Sequence, residues 1–214
     1  MKTTIPKIYH VIWVGERPAP MEWIQTWLDK NPEWQLMLWD NEKVWGRQWR
    51  NQKHIDWFKE RGIWAGVADC VRYEILHEYG GFGAGADSIC LEPVDELFTD
   101  PAFDAYTSYE NEIVTGEMMS PLLGCTKGNP LADAIITILS LKEQVDIPWQ
   151  TTGNLFMMHA VKALQYKRLK IWPSHYLLPE HHSGVKYSGT DKIYARHMWG
   201  TGKGAWEEFY KNKK

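Results

Sequence analysis

The stretch ADCVRYEILHEYGGFGAGADSICLEPVDEL, Ala68 to Leu97, constrains the chain more than any other. A helix is predicted from about Trp64 to Tyr79, because Trp64, Val67, Ala68, Val71, Ile75, Leu76 and Tyr79 recur along one apolar stripe and Gly80-Gly81 supplies a glycine stop. Gly80, Gly81, Gly83 and Gly85 follow with only Phe82 and Ala84 between them, giving a backbone able to approach a ligand closely. Asp87 ends the run. Asp69 and Arg72 stand three apart on the helix, on neighbouring positions of one face beside the stripe. A surface ion pair and a polar pair turned to a ligand both fit that spacing. Asp87 by itself equally suits a turn or the cap of the next element.

Around this segment strands and helices alternate. Lys7 to Val14, rich in β-branched and aromatic residues and stopped by Gly15, reads as a buried strand, and Trp34 to Trp39 as a second. Between them, Met21, Ile24, Trp27 and Leu28 have helical spacing up to Asn31-Pro32. Phe82 to Ala86 is a weak strand; Ala105 to Tyr109, Leu122 to Cys125 and Leu169 to Trp172 are further ones. Asn129-Pro130 is a cap followed by proline at the first helical position, and Thr152-Gly153-Asn154 opens a helix to about Leu164. The pattern predicts an α/β fold, a mixed, mostly parallel central sheet flanked by helices, with ligands beyond the strand ends. At 214 residues one domain, 1–214, is expected.

Charge and composition exclude several classes. Lys and Arg number 24 against 27 Asp and Glu, a net of -3, which argues against a protein built mainly to grip nucleic acid or an anionic membrane. No apolar run approaches the roughly 18 residues of a spanning helix, and the opening MKTTIPKIYHVIWVG lacks the apolar core of a signal peptide. Cys70, Cys90 and Cys125 have no metal-knuckle spacing and read as free thiols, so a cytoplasmic location is expected. Thirteen tryptophans, nine of them within the first 64 residues, are explained mostly by packing; Trp13, at the end of the first strand, is the candidate platform on which a base stacks. The adjacent His181 and His182 read as exposed loop, since neighbouring side chains on an extended segment diverge.

Four blocks in order resemble one family. Asp69, Arg72, Tyr73, Leu76, Tyr79, Gly80, Gly81, Asp87 and Pro93 match the Asp-x-x-Arg-Tyr helix, the G-G-x-Y-x-D-x-D run and the proline of the DXD glycosyltransferases of family 32, the Och1-like and capsule- or toxin-type group. IPKIYHVIWVG resembles its opening strand, NPEWQLMLWD its second block, and ARHMWGTGKGAW its terminal His-x-W block, which brings in His197 and Trp199. The resemblance spans roughly Ile5 to Trp206 and departs from the family at two positions. Gly83 stands for the family's tyrosine and Gly85 for the first aspartate of the DXD motif, leaving Gly85-Ala86-Asp87.

The resemblance implies a single GT-A-type Rossmann-like domain and a retaining transfer of sugar from a nucleotide diphosphate, a UDP- or GDP-sugar, to a hydroxyl acceptor. It makes Asp87 and His197 ligands of a divalent cation, Mn²⁺ or Mg²⁺, with Asp69, Arg72 and Asp87 the catalytic set. Trp13, Asp69, Arg72, Tyr73, Gly81, Gly85, Trp199 and Lys203 become donor-binding positions. The chemistry suits the residue types. Charge builds on a phosphate oxygen as the diphosphate leaves, which a cation or a Lys203-like charge stabilises, and a carboxylate with a guanidinium holds sugar hydroxyls well. The missing aspartate also admits a protein that binds the donor without turning it over. The acceptor is open among a polysaccharide, a protein, a small molecule and a modified DNA base, the last through Arg47, Arg50 and Lys53, in a bacterial or phage setting.

Overall fold

The computed structural model describes residues 2–200 and 204–211. The chain runs through β1 (Ile8–Ile12), α1 (Met21–Lys30), β2 (Gln35–Trp39), α2 (Asn41–Trp45), α3 (Gln52–Glu60), α4 (Trp64–Tyr79), β3 (Gly81–Phe82), β4 (Ser88–Cys90), β5 (Ala105–Ser108) and β6 (Gly124–Cys125). It continues with α5 (Pro130–Leu141), α6 (Pro148–Thr151), α7 (Asn154–Leu164), β7 (Leu169–Trp172), β8 (Ala195–His197) and α8 (Ala205–Lys211). Six strands form a sheet in the order β2-β1-β3-β6-β5-β7. β1 pairs in parallel with β2 and β3, and β5 with β7, while β6 runs antiparallel to both its neighbours. This is the mixed, mostly parallel α/β sheet expected.

Alternation along the strands divides the core between the two faces of the sheet. Tyr9 and Val11 of β1, Tyr106 of β5 and Trp172 of β7 join Ile24 and Trp27 of α1 on one face. Ala105 and Leu169 join the helices α3, α4, α5 and α7 on the other, through Phe58, Val71, Ile135 and Phe156. Burying five tryptophans this way (Trp27, Trp34, Trp39, Trp49 and Trp172) accounts for much of the aromatic excess. His10, between Tyr9 and Val11, is buried and turns to the α4 side: its Nδ1 accepts from Trp39 Nε1 at 3.1 Å and its Nε2 lies 2.8 Å from the Gly80 carbonyl.

α4 has the predicted bounds but not the predicted single stripe. Trp64 is exposed, whereas Cys70, Tyr73 and Glu74 are buried beside Val67, Val71, Ile75 and Leu76, because α3 and α5 pack against the helix from different sides. Glu74 is buried because its two carboxylate oxygens accept the backbone N–H groups of Arg50 and Asn51, each at 2.8 Å, where α3 begins. The strand expected over Phe82 to Ala86 is shorter. Only Gly81 and Phe82 join the sheet, Gly81 with φ of 100°, and the chain then leaves it to start β4, which pairs antiparallel with β8 in a separate ribbon. Two of the three cations of the patch offered for DNA phosphates are paired within the chain. Arg47 pairs with Glu78 and Arg50 with Asp133, and Lys53 donates to the Lys142 carbonyl.

Candidate active site

The β4–β8 ribbon joins two distant parts of the chain. Ser88 lies opposite His197, and Met198 N–H extends the pairing by donating to the Asp87 carbonyl. Asp87 and His197 therefore meet at the ribbon's end, with Oδ1 3.1 Å from Nε2. Oδ2 accepts from Gly200 N–H at 2.8 Å. Trp199 N–H donates to His197 Nδ1 at 3.1 Å, so the ring proton sits on Nε2 and is donated to Asp87. Burial pushes the Asp87 carboxyl upward, but the adjacent His197 and the Gly200 N–H more than offset it and hold the group below the ordinary carboxylate range.

Gly85 faces this pair. A Cβ built on it would lie 2.7 Å from Asp87 Oδ1 and 3.3 Å from His197 Nε2. The side chain missing from the DXD position would thus enter the same space as the two other groups. The donor set fits a hard dication: a carboxylate and an imidazole about 3 Å apart match two neighbouring ligands of an octahedral ion, with the remaining positions open to water or phosphate oxygens. Binding at Nε2 requires the ring proton to move to Nδ1, at the expense of the Trp199 contact.

Asp69 and Arg72 stand on α4 and are half-buried. Neither acts as half of a surface ion pair. Arg72 Nη1 donates to the Gly83 carbonyl, whereas Asp69 Oδ2 accepts from the Thr152 hydroxyl at 3.0 Å. Burial raises the Asp69 carboxyl to about 6, against the opposing pull of Arg72 and the Thr152 hydroxyl. Arg72 Nε is buried without a hydrogen-bond partner, a costly state that a ligand oxygen would relieve. A cavity of about 120 Å³ brings Arg72 together with Gly85, His197, Ser120 and Asn154.

The remaining expected positions are distributed differently. Tyr73 is fully buried in the core, its hydroxyl donating to the Thr152 carbonyl at 2.7 Å, so it positions Thr152 and does not reach the cavity. Gly81 lies within β3, packed against the Ile8 backbone and the His10 ring. Trp13 Nε1 donates to the Arg17 carbonyl, and Trp206 of α8 meets its ring edge-on, with centroids 4.9 Å apart. Trp199 packs its ring 4.6 Å from His197. Lys203 lies outside the described residues. Thr152 and Asn154 are members of the site that sequence reasoning missed; their only signal was the polar helix start Thr152-Gly153-Asn154.

Residues 19–104 match the family described as glycosyltransferase sugar-binding region containing DXD motif. The mannosyl phosphorylinositol ceramide synthases CSH1 and SUR1 of Saccharomyces cerevisiae are 30% and 29% identical over 77% and 78% of the chain. Inositol phosphoceramide mannosyltransferase 3 of Schizosaccharomyces pombe is 28% identical over 72% of it. The chain spans 44% of the length of each. Among solved structures, PaToxG glycosyltransferase superposes with a TM-score of 0.58 at 15% identity, covering 75% of this chain and 70% of that one, so the two share a fold. Residues 19–104 thus form a sugar-binding region of the DXD-containing glycosyltransferase type, with a glycine at the first aspartate of the motif, on a fold shared with a solved glycosyltransferase.

Proposed function

We propose that the chain transfers a sugar from a UDP- or GDP-sugar to a hydroxyl acceptor with retention of anomeric configuration, as one unit and with a divalent cation, Mn²⁺ or Mg²⁺. The observation that carries this reading is the meeting of Asp87 and His197 beside a cavity whose wall holds Arg72 with its buried, unpartnered Nε. In the reaction the bond from the anomeric carbon to the diphosphate oxygen breaks and its electron pair stays on the diphosphate. The acceptor oxygen bonds to the anomeric carbon and its proton passes to the departing diphosphate oxygen. A bound cation supplies Lewis-acid stabilisation of the leaving diphosphate, and Asp87 with His197 would hold it. Arg72 and Asp69 bind and orient the donor sugar and its phosphates by charge-assisted hydrogen bonds. Trp13 and Trp199 offer ring surface to the donor.

The relatives' names make a mannosyl donor and an inositol phosphoceramide acceptor the first pair to assay, ahead of the polysaccharide, protein, other small-molecule and DNA-base alternatives. Gly85 favours a second reading, a protein that binds the nucleotide sugar with weakened or no turnover. Incubation with a panel of UDP- and GDP-sugars and Mn²⁺, following release of nucleoside diphosphate, separates the two. Release from at least one donor is expected. Saturable binding without release supports the second reading, and neither binding nor release with any donor contradicts both.

A further inference from the structure

A second cluster of ligating side chains adjoins the cavity, and the proposed reaction leaves it unused. Glu110, just beyond β5, is 6% exposed and His181 2% exposed, with Oε1 of the one 3.1 Å from Nε2 of the other. Asn154, on the cavity wall, donates to the second carboxylate oxygen at 2.5 Å. His182 completes the group. Contrary to the sequence expectation, its ring does not diverge from that of His181: the centroids lie 4.0 Å apart. The segment is a turn and not an extended strand, closed by Gly184 N–H on the His181 carbonyl, His181 N–H on the Val185 carbonyl and Tyr187 N–H on the Pro179 carbonyl. One ligand atom from each of Glu110, His181 and His182 lies within 4.8 Å of the others.

We propose that Glu110, His181 and His182 form a binding site for a transition-metal dication of the Zn²⁺ type, separate from the Asp87–His197 pair. Two imidazoles and one carboxylate are the donor set that selects Zn²⁺ or Co²⁺ over the harder Mg²⁺ and Ca²⁺. Ligands about 2.0–2.2 Å from a tetrahedral Zn²⁺ stand roughly 3.3 Å from one another, close to the spacing Glu110 and His181 already have. The surrounding groups suit ligation as well. Ser183 Oγ, 2.8 Å from His181 Nδ1, can accept a hydrogen bond from a protonated Nδ1 and leave the Nε2 lone pair to the metal, at the loss of the longer 3.2 Å approach of Ser183 N–H. Asn154 fixes the carboxylate, and the exposed His182 gives the ion its way in. The Trp199 ring stands 5.3 Å and 5.0 Å from the two imidazoles and 4.6 Å from His197, so one indole touches both clusters. The inference rests on these side chains alone and holds or fails independently of the transfer reaction.

The test is a Co²⁺ titration of the full chain after chelator treatment, followed by visible absorption, with Zn²⁺ as competitor. One Co²⁺ per chain in four- or five-coordinate form is expected, its strong visible band bleached by Zn²⁺ and distinct from the weakly absorbing octahedral ion that the Asp87–His197 pair would hold. His182→Ala, an exposed change, and Glu110→Gln should each weaken its affinity by about tenfold or more, while Asp87→Asn leaves it unchanged. No band, a band indifferent to His182→Ala, or a band lost in Asp87→Asn would overturn the proposal.

Discussion

At the scale of single residues, the proposed site turns on one carboxyl that is hard to ionise and one that is missing. With its carboxyl raised to about 6, Asp69 is charged at neutral pH and takes up a proton as the pH falls through 6. Donor affinity, measured by calorimetry across pH 5 to 8, should therefore drop on the acid side with a midpoint near 6. Asp69→Asn should remove that limb, and Thr152→Val, which takes away the hydroxyl that donates to the carboxylate, should move the midpoint upward. Gly85→Asp puts a second carboxylate against Asp87 and His197, forcing the Asp87 side chain to swing aside. Without a cation the like charges should lower Tm. With Mn²⁺ the affinity should rise about ten- to a hundredfold, and an unchanged Mn²⁺ affinity would mean that position 85 does not face the site. The meeting of Asp87 with His197 followed from the resemblance of blocks in order and not from spacing, whereas the spacing of Asp69 and Arg72 left open whether they pair at the surface. Tyr73 was misread because the same helical spacing cannot say which face a neighbouring helix covers, and α7 and Phe156 cover the face that carries it.

Among the elements, the turn after α4 is tied to β1 and β2 by His10. Burial lowers its basicity to about 4, so it is neutral in the folded chain where the unfolded chain, near 6.5, would already be protonated. The unfolded state then binds more protons between those values, and stability must fall as the pH drops from about 6.5 toward 4, by up to about 3 kcal/mol from this group. Urea unfolding at pH 7 and pH 4.5 should show the loss in the natural chain and a smaller one in His10→Asn. The long elements were readable: α4, α5, α7 and β7 each have a period or a cap strong enough to fix them, such as Asn129 accepting from Leu131 N–H at the start of α5. The three-residue β4 and β8 were not. Strands so short carry no periodicity of their own, and their pairing depends on chain closure over more than a hundred residues. The same limit hid the turn that brings His181 and His182 together.

For the molecule as a whole, the sheet holds α4 and the glycine run on one side of the cavity while the ribbon brings the end of the chain to the other. Among the described residues no helix is long and apolar enough to cross a membrane. The account stands on Asp87 and His197 holding a cation together with the donor's diphosphate. Binding of the two must then be mutually favourable, since each raises the affinity of the other by the same factor. The decisive measurement is Mn²⁺ binding by electron paramagnetic resonance, with and without UDP or GDP, in the natural chain and in Asp87→Ala. The predicted result is that one of the two nucleotides tightens Mn²⁺ binding by about tenfold or more and that Asp87→Ala abolishes the effect. Mn²⁺ binding indifferent to both nucleotides, or unaltered in Asp87→Ala, would contradict it.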